Sequence, residues 1–364
     1  MSHTEIDADV IIIGAGLSGL ASALLLIEAG KSVRIAEARG VPGGRIRSVL
    51  DDDTGAYLAD FGPTWIWPAF QPVISRWIEK LELGTFPQFD TGKAVLDYGP
   101  GTGREIRFVP GQEGNVRVVG GAQAIIDSLA ARLPDSAILT NSPVRSVSTT
   151  DEGVTLEIEN EKTVLKCGNV IVAVPPRIAA KSIIWTPELP VPLSRALEQI
   201  PTWMAPHAKA VVFYDKPFWR SQGLPGRIAS QAGPIVEGHD HCGPDGSPAA
   251  LFGFIGWPHD LRAEAGAELK AQICAQLKRC FGPDSPDPRK IHIEDWAADS
   301  HVATPRDLAE PISHPDVGPD ILRDAHANGR VWFAASETAI RSPGLVEGAF
   351  DAAEQTVATL LEMQ

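Results

Sequence analysis

A glycine-rich turn joins an apolar stretch to a helical one near the start of the chain. Residues 9–13 read Asp-Val-Ile-Ile-Ile, which is typical of a strand in a parallel sheet covered on both faces. The turn Gly14-Ala15-Gly16-Leu17-Ser18-Gly19 follows and opens a helix predicted over 18–29. A second strand is predicted over 32–36. This order predicts a β-α-β unit and an α/β fold.

The spacing of the three glycines predicts that the turn binds a dinucleotide. The first glycine permits the tight turn, the second lets the backbone approach a pyrophosphate, and the third lets helix and strand pack closely. The phosphates would lie at the partly positive end of the helix. Glu37 ends the second strand, eighteen residues beyond Gly19, where its carboxylate can accept hydrogen bonds from a ribose.

A second glycine pair and an arginine follow Glu37. The segment reads Glu37-Ala38-Arg39-Gly-Val-Pro-Gly43-Gly44-Arg45. The glycine pair lets another loop approach the dinucleotide. Arg45 supplies positive charge for the pyrophosphate or for a neighbouring backbone carbonyl, and the alternative is a surface arginine after a turn.

Charge and cysteine content exclude several classes of protein. The 364 residues include 32 Lys and Arg against 46 Asp and Glu, a formal net charge of −14, without a basic block. Such a surface repels nucleic acid and anionic lipid. Four cysteines without a C-x-x-C pair argue against a disulfide scaffold and for a reduced, cytoplasmic protein. Residues 10–27 are uncharged, but their glycines favour strand, turn and helix over a membrane span, and the acidic N-terminus does not resemble a signal peptide.

Periodicity predicts the remaining elements. Helices are predicted over 71–83, 120–133, 261–281 and 347–361. Strands over 144–147, 154–158, 163–167 and 170–174, with turns at 151–153 and 160–162, indicate an antiparallel meander. Further strands are predicted over 209–214, 250–255 and 330–334. The nucleotide-binding unit opens the chain and a strand-loop-helix closes it, so the domains are expected to be discontinuous.

Motifs along most of the chain resemble those of the flavin-containing amine oxidase family. The run E-A-R-x-x-x-G-G-R from Glu37 to Arg45 is a mark of FAD rather than NAD in that family. The other matching segments are Asp60-Phe-Gly62-Pro63-Thr64-Trp65, Arg117-Val-Val-Gly-Gly121, Val172-Ala-Val-Pro-Pro176, Lys209 with Pro217-Phe-Trp-Arg220, Phe333-Ala-Ala-Ser-Glu337-Thr, and Gly344-Leu345-Val346-Glu-Gly348.

The resemblance implies a Rossmann-like FAD-binding domain of the amine-oxidase and glutathione-reductase type, with a smaller mixed-sheet substrate domain. We expect residues 1–70, 115–185 and 290–364 in the FAD-binding domain and residues 71–114 and 186–289 in the substrate domain. The segment from Trp296 to Arg306 contains no cysteine, so the FAD should be noncovalent.

The resemblance also assigns roles to single residues. It implies that the backbone of Val144 contacts the adenine side, that Trp296 belongs to the cofactor-binding set, and that Glu337 lies near the ribityl-pyrophosphate region. The N–H of Val346 would point at the flavin C2 carbonyl from a helix start, where it stabilises negative charge. Lys209 would hold a water near flavin N5 and support reaction with oxygen. From the pattern alone, Lys209 could instead snorkel to solvent.

Two departures from the family concern the substrate. Leu345 stands where many members have an aromatic ring beside the flavin, and the segment after Trp296 supplies no second ring. Only about fifty residues separate Trp65 from Arg117, so a helical stretch that roofs the cavity in larger members is missing. The site is then open, or a second subunit closes it, as in a homodimer.

The leading interpretation is an FAD-dependent oxidoreductase that oxidises an amine to an imine, with O2 as acceptor and H2O2 as product. One alternative is a desaturase or dihydropyridine-type oxidase acting on a C–C or ring C–H bond, and another is a non-catalytic FAD-binding protein. No metal is expected. The run His239-Asp-His241-Cys242 is predicted to lie in a Gly/Pro-rich loop and to hold solvated histidines rather than a metal, because no second cluster completes four ligands.

Overall fold

The computed structural model describes residues 6–111, 113–159 and 163–364, so the turn predicted at 160–162 and the extreme N-terminus lie outside the described residues. The helices are α1 (Leu17–Glu28), α2 (Pro72–Lys80), α3 (Gln123–Ala130), α4 (Pro176–Ser182), α5 (Val191–Gln199), α6 (Phe218–Ser221), α7 (His259–Ala265), α8 (Glu268–Phe281), α9 (Pro305–Ala309) and α10 (Val346–Glu362). Short 3-10 helices cover Trp296–Ala298, Asp320–Leu322 and Ser336–Thr338.

The strands fall into two large sheets and two short ribbons. They are β1 (Ala8–Ile13), β2 (Val33–Ala36), β3 (Ser48–Leu50), β4 (Tyr57–Asp60), β5 (Thr85–Pro87), β6 (Ala94–Asp97), β7 (Arg104–Arg107), β8 (Val116–Val118), β9 (Ile138–Leu139), β10 (Val144–Thr149), β11 (Val154–Ile158), β12 (Val164–Val172), β13 (Ile184–Thr186), β14 (Ala208–Tyr214), β15 (Ile228–Ser230), β16 (Ile235–Asp240), β17 (Ala249–Ile255), β18 (Lys290–Asp295) and β19 (Val331–Phe333).

The first sheet contains the predicted β-α-β unit. Its order is β13-β10-β11-β12-β1-β2-β9, with β19 pairing with β12 beside that path. Strand β1 is parallel to both neighbours, and Ile12 lies opposite Ile35 and Ile171. Successive side chains of a strand point to opposite faces, so Ile12 packs in the core that contains α1 and α10, whereas Ile11 packs in the core that contains α5. The predicted α/β fold with a sheet covered on both faces is confirmed.

Three predicted elements are wrong in detail. The strands predicted over 163–167 and 170–174 form the single strand β12. Its first half pairs with β11 and its second half with β19, and β1 pairs with both halves, which keeps them continuous. The helix predicted over 261–281 is two helices, α7 and α8. Gly266 separates them with φ of +49°, a left-handed conformation that glycine adopts readily.

The second sheet has the order β18-β14-β17-β16-β15-β6-β7. Its central strand β14 is antiparallel to β17 and β18, and every residue of β14 is buried. Val212 faces the core under α8, whereas Val211 and Phe213 face a core that contains Phe252 and Trp296. Lys209 shares the second face by alternation, as predicted.

The division of the chain into two domains remains a prediction. Strand β18 pairs in the second sheet, although the predicted boundaries place residues 290–295 in the first domain. Among the described residues, none of the helices combines the length and apolarity that crossing a membrane requires.

Candidate cofactor-binding and active site

A cavity of about 620 Å³ extends from the carboxyl end of β1 to Lys209 in the second sheet. Ligands of open α/β sheets bind outside the carboxyl ends of the strands, so its position fits a nucleotide site. The predicted residues that line it are Gly14, Gly16, Ser18, Glu37, Ala38, Arg39, Gly43, Gly44, Arg45, Gly62, Pro63, Thr64, Trp65, Val144, Lys209, Trp296, Leu345 and Val346. Ala15, Gly19 and Glu337 lie behind this wall.

The first turn requires glycine at two of its positions. Gly14 has φ of +99°. A Cβ on Gly19 would lie 2.0 Å from the carbonyl oxygen of Gly14, so any side chain there would push α1 away from β1. Gly19 therefore shapes the turn from behind. Ser18, which lines the cavity, donates its hydroxyl to the carbonyl of Ala334.

The N-terminus of α1 is open to a ligand. Gly16 is the N-cap residue, and neither a side-chain cap nor an acidic residue occupies the first turn. Gly16 pairs with Gly43, and a Cβ on Gly44 would lie 3.2 Å from the Cα of Gly16. The first N–H groups of a helix lack intrahelical acceptors and carry partial positive charge. This glycine-lined, uncapped helix end fits a pyrophosphate, so the residues present fit FAD at this end.

Glu37 is buried and fixed beside this helix end. One carboxylate oxygen accepts the N–H of Ala15 at 2.7 Å, and the other accepts the N–H of Arg39 at 2.8 Å. Arg39 in turn donates to Asp299 at 2.5 Å. The carboxylate is thus oriented before any ligand arrives, and Glu37 lies on the cavity wall, where a ribose contact requires it.

Arg45 forms a bidentate ion pair with the fully buried Glu337, at 2.5 and 2.9 Å. Arg45 also donates to the backbone carbonyl of Trp203 at 3.2 Å. Arg45 therefore makes the predicted contact with a neighbouring backbone carbonyl. It is not a free surface arginine. Glu337 does not line the cavity, but its partner Arg45 does.

Lys209 is only 3% exposed and does not snorkel to solvent. Its Nζ donates to the carbonyl of Gly62 at 3.0 Å and to the hydroxyl of Thr64 at 2.5 Å. It also lies 4.2 Å from the ring centroid of Phe252. Burial lowers the pKa of Lys209 to about 7, against the attraction of the nearby Asp60 carboxylate. Near neutral pH this side chain therefore exchanges between ammonium and amine.

Asp60 is the buried counter-charge of Lys209, and the sequence analysis gave it no role. Its carboxylate accepts the hydroxyl of Tyr57 at 2.8 Å and the N–H of Ala122 at 3.1 Å. Burial raises the pKa of Asp60, while the charges of Lys209 and Arg117 oppose that rise. The loop that carries Gly62 and Thr64 is thus anchored at its start by a hydrogen-bonded carboxylate.

The geometry at the start of α10 requires glycine at positions 344 and 348. Gly344 has φ of +80°, and a Cβ there would lie 2.8 Å from the Cβ of Trp203. A Cβ on Gly348 would lie 2.4 Å from the carbonyl oxygen of Ser342. Leu345 is the N-cap and has no side-chain cap, and Val346 opens the helix at the cavity wall. The N–H of Val346 therefore lacks an intrahelical acceptor.

Trp65 and Trp296, both in the predicted set, supply part of the aromatic wall of the cavity. The rest comes from side chains that no motif assigned, which are Trp67, Trp203, His207 and Phe254. Trp203 precedes Met204, whose φ of +63° is unusual for a residue with a side chain. Trp67 and His207 each lie two residues from a predicted site residue, but the motifs do not include them.

The histidine run 239–242 is not solvated, which corrects the prediction. His239 and Asp240 lie at the end of β16, and His239, Asp240 and His241 are buried. All three side chains have partners within the protein. His239 contacts Glu237 at 2.8 Å, and Asp240 accepts the indole N–H of Trp219 at 2.8 Å. The ring of His241 accepts the N–H of Asp60. Within residues 6–111, 113–159 and 163–364, no group of three His, Cys, Asp or Glu side chains could hold a metal ion.

A second cavity of about 500 Å³ adjoins the first. Met204, His207 and Phe254 line both cavities. The remaining residues around the second cavity are Pro206, Val236, Glu237, Ile255, Gly256, Trp257, Pro258, His259, Arg262, Leu308, Glu310, Pro311 and Ile312.

All four cysteines are free thiols, and none lines the first cavity. They are Cys167, Cys242, Cys274 and Cys280. A thioether to a cofactor in that cavity is therefore not available from a lining residue, which agrees with noncovalent FAD.

Comparisons with known proteins agree with this geometry. A sequence model described as flavin containing amine oxidoreductase matches residues 17–110 and 101–361. The probable flavin-containing monoamine oxidase A of Dictyostelium discoideum is 23% identical over 450 residues, covering 94% of this chain and 95% of that protein.

Wild-type putrescine oxidase bound to putrescine has a similar structure, with a TM-score of 0.81, 23% identity and coverage of 98% of this chain and 99% of that chain. Cyclohexylamine oxidase from Brevibacterium oxydans gives a TM-score of 0.82 at 19% identity, with 98% and 99% coverage. These two structures show the likeness of fold, and the match along most of the sequence shows the family. The chain therefore belongs to the flavin-containing amine oxidoreductases and is an FAD-dependent oxidoreductase.

Proposed function

We propose that this protein oxidises the C–N bond of an amine to an imine, with O2 as the electron acceptor and H2O2 as the product. The observation that carries the proposal is the buried Lys209, which reaches the cavity wall while bound to the carbonyl of Gly62 and the hydroxyl of Thr64. FAD, when bound, accepts a hydride equivalent from the amine and passes the electrons to oxygen.

The residues at the β1 end would hold the nucleotide half of FAD. The uncapped start of α1 would bind the pyrophosphate, and Glu37 would accept the ribose hydroxyls. Val144, Arg39 and Trp296 also line the cavity and belong to the proposed cofactor-binding set. Arg45, held by Glu337, would present its charge to the ribityl-pyrophosphate region.

The residues at the other end would act on charge at the reacting ring. The N–H of Val346, at the start of α10, would stabilise negative charge at the C2 carbonyl. The Lys209 ammonium would stabilise negative charge as oxygen takes its first electron. With a pKa of about 7, Lys209 is charged below that pH and loses this capacity as the pH rises through it.

The substrate amine must be neutral to donate hydride, because an ammonium has no free electron pair on nitrogen. A neutral amine needs no general base for this step, and water can hydrolyse the imine afterwards. The aromatic side chains of the cavity exclude water around the reacting carbon, which favours the neutral form of the amine there.

The test is anaerobic addition of an amine panel to the purified yellow protein, followed by admission of oxygen. We expect at least one amine to bleach the flavin absorbance, and oxygen to restore it with one H2O2 formed per flavin. Bleaching by cyclic or C–H donors without nitrogen oxidation, and by no amine, would support the desaturase alternative instead. Bleaching without peroxide on readmission of air would contradict O2 as the acceptor.

A further inference from the structure

We infer that Asp299 is a positioning residue for FAD binding, and that it acts by holding the guanidinium of Arg39 on the wall of the first cavity. Asp299 itself does not line that cavity, and it lies in the loop that follows β18. No role was predicted for it from the sequence. This role concerns the cofactor, so it does not depend on the proposed substrate or electron acceptor.

Arg39 lies on the cavity wall with most of its donor groups unused. Its Nη2 donates to a carboxylate oxygen of Asp299 at 2.5 Å, and its side chain is 17% exposed. In the part of the chain that the structure describes, Nε and Nη1 of Arg39 make no hydrogen bond. The main-chain N–H of Arg39 donates to Glu37 at 2.8 Å, so the guanidinium belongs to the same nucleotide-binding segment. An arginine anchored by one nitrogen can still donate from the others to oxygens of the nucleotide half of FAD.

The carboxylate of Asp299 is itself fixed by several contacts. The oxygen that accepts from Arg39 also accepts from Arg47 at 3.1 Å, and the other oxygen accepts the N–H of His301 at 3.0 Å. The main-chain N–H of Asp299 donates to the carbonyl of Trp296 at 3.2 Å. The side chain is only 12% exposed. Because the carboxylate is held in place, it can hold the arginine in turn.

Asp299 is ionised in this arrangement. Burial raises the pKa of its carboxyl group, but the charge of Arg39, the N–H of His301 and the charge of Arg47 together hold that pKa below its usual range. An ionised carboxylate is a stronger acceptor for a guanidinium than a neutral group is. The negative charge of Asp299 also separates two positive charges that would otherwise repel each other.

The other arm of this network runs through Arg47, which does not line the first cavity. Arg47 pairs with Glu294 on β18, and its guanidinium carbon lies 4.9 Å from the ring centroid of Trp296. The carbonyl of Arg47 accepts the N–H of Gly62 at 3.3 Å, and the carbonyl of Gly62 accepts from Lys209. The network therefore touches the nucleotide end and the reacting end of the cavity, and the tests below separate the two.

Anchoring Arg39 in advance increases affinity because a free arginine side chain samples many rotamers. An arginine that is already ordered loses less conformational entropy when a ligand binds, so more of its interaction energy appears as affinity. Without the Asp299 carboxylate, Arg39 would be mobile and would face the charge of Arg47. Both effects weaken the binding of the nucleotide half of FAD.

The first experiment measures FAD retention by the holoenzyme on dilution, from the rise in flavin fluorescence as FAD dissociates. Asp299→Asn keeps the size of the side chain and an oxygen for the N–H of His301, but it removes the charge. We expect it to raise the FAD dissociation constant about tenfold. Asp284→Asn changes an exposed aspartate that lines neither cavity, and this control should stay within about twofold of the natural protein. An unchanged FAD dissociation constant in Asp299→Asn would overturn the inference.

A double-mutant cycle tests whether Asp299 acts through Arg39. Arg39→Gln, Asp299→Asn and the double variant are compared in the same dilution assay. If Asp299 positions Arg39, the double variant should bind FAD no more than about twofold more weakly than Arg39→Gln alone. Effects that multiply would mean that Asp299 acts independently of Arg39, which would contradict the inference. If Asp299→Asn does not fold, Asp299→Glu, which keeps the charge but displaces it, takes its place under the same criterion.

ADP distinguishes the nucleotide end from the reacting end. It contains the adenosine and the pyrophosphate of FAD without the flavin, and its inhibition of FAD rebinding gives its own affinity. We expect Asp299→Asn to weaken ADP binding about tenfold, as for FAD. Arg47→Gln leaves the pair of Arg39 and Asp299 in place and should weaken ADP binding less than about threefold. An ADP affinity that Asp299→Asn leaves unchanged, or that Arg47→Gln lowers equally, would assign the effect to the flavin end or to general loosening and would overturn the inference.

Discussion

Replacing Lys209 with methionine should slow the reaction of the reduced flavin with oxygen while leaving FAD bound. Methionine keeps the length of the side chain but removes the charge and the hydrogen bonds to Gly62 and Thr64. A charge-assisted interaction contributes about 1.5–3 kcal/mol, so the rate at low pH should fall about 10- to 150-fold. The phenyl ring of Phe252, 4.2 Å from Nζ, should accept the apolar replacement without a cavity.

The pH dependence provides a sharper form of the same prediction. With a pKa of about 7, Lys209 loses its proton as the pH rises, and an anionic reduced flavin beside it would shift the midpoint to 7 or above. The protonated fraction of Lys209 falls about tenfold between one pH unit below and one above the midpoint, so the reoxidation rate of the natural protein should fall by up to about tenfold. The methionine variant should show no such titration.

Stopped-flow mixing of the photoreduced enzyme with oxygenated buffer between pH 6 and 10 measures both effects. Lys216→Met is the control, because Lys216 is exposed. A Lys209→Met enzyme that reoxidises at the natural rate, with the natural pH profile, would refute the role of the ammonium. A drop in rate without loss of the pH titration would assign the titration to another group.

Three further predictions concern the cofactor. Glu37→Ala should weaken FAD binding about 10- to 150-fold in a fluorescence titration, because the ribose loses a charge-assisted partner worth about 1.5–3 kcal/mol. Undiminished FAD occupancy would contradict the ribose contact. Acid or heat should release intact FAD from the natural protein, and flavin that stays on the denatured chain would contradict noncovalent binding. Gly19→Ala should abolish or strongly reduce FAD content and lower the melting temperature, since its Cβ would meet the carbonyl oxygen of Gly14 at 2.0 Å. A variant with normal flavin content and melting temperature would refute the packing argument.

Local geometry explains why the first β-α-β unit could be predicted from sequence. The conformation of Gly14 and the close contact at Gly19 are imposed within a few residues, and strand and helix signals flank them. The same holds for Gly348 at the start of α10, where a Cβ would meet the carbonyl oxygen of Ser342, whereas the space beside Gly344 is limited by Trp203 from another segment. Where a Cβ would clash with the backbone of the same turn, glycine is required at a fixed position. The resulting spacing of glycines indicated both strand-to-helix turns, the one before α1 and the one before α10.

Tertiary contacts explain what the sequence could not show. The burial of Lys209 depends on Phe252 and Asp60, which come from other strands, and alternation along β14 alone is equally compatible with snorkelling. The burial of His239 and its contact with Glu237 depend on a strand that the Gly/Pro-rich surroundings concealed. Strand β12 runs through Gly168 and Asn169, between the two predicted strands, because pairing with β1 keeps this part of the chain extended.

The central claim is that an amine delivers electrons through the bound flavin to oxygen. The most direct measurement is anaerobic titration of the holoenzyme with each amine of the panel, followed by readmission of air and a peroxide assay on the same sample. We predict that at least one amine bleaches the flavin absorbance, that air restores it, and that about one H2O2 and one carbonyl product form per flavin reduced. A flavin that stays oxidised under an excess of every amine of the panel would contradict the account.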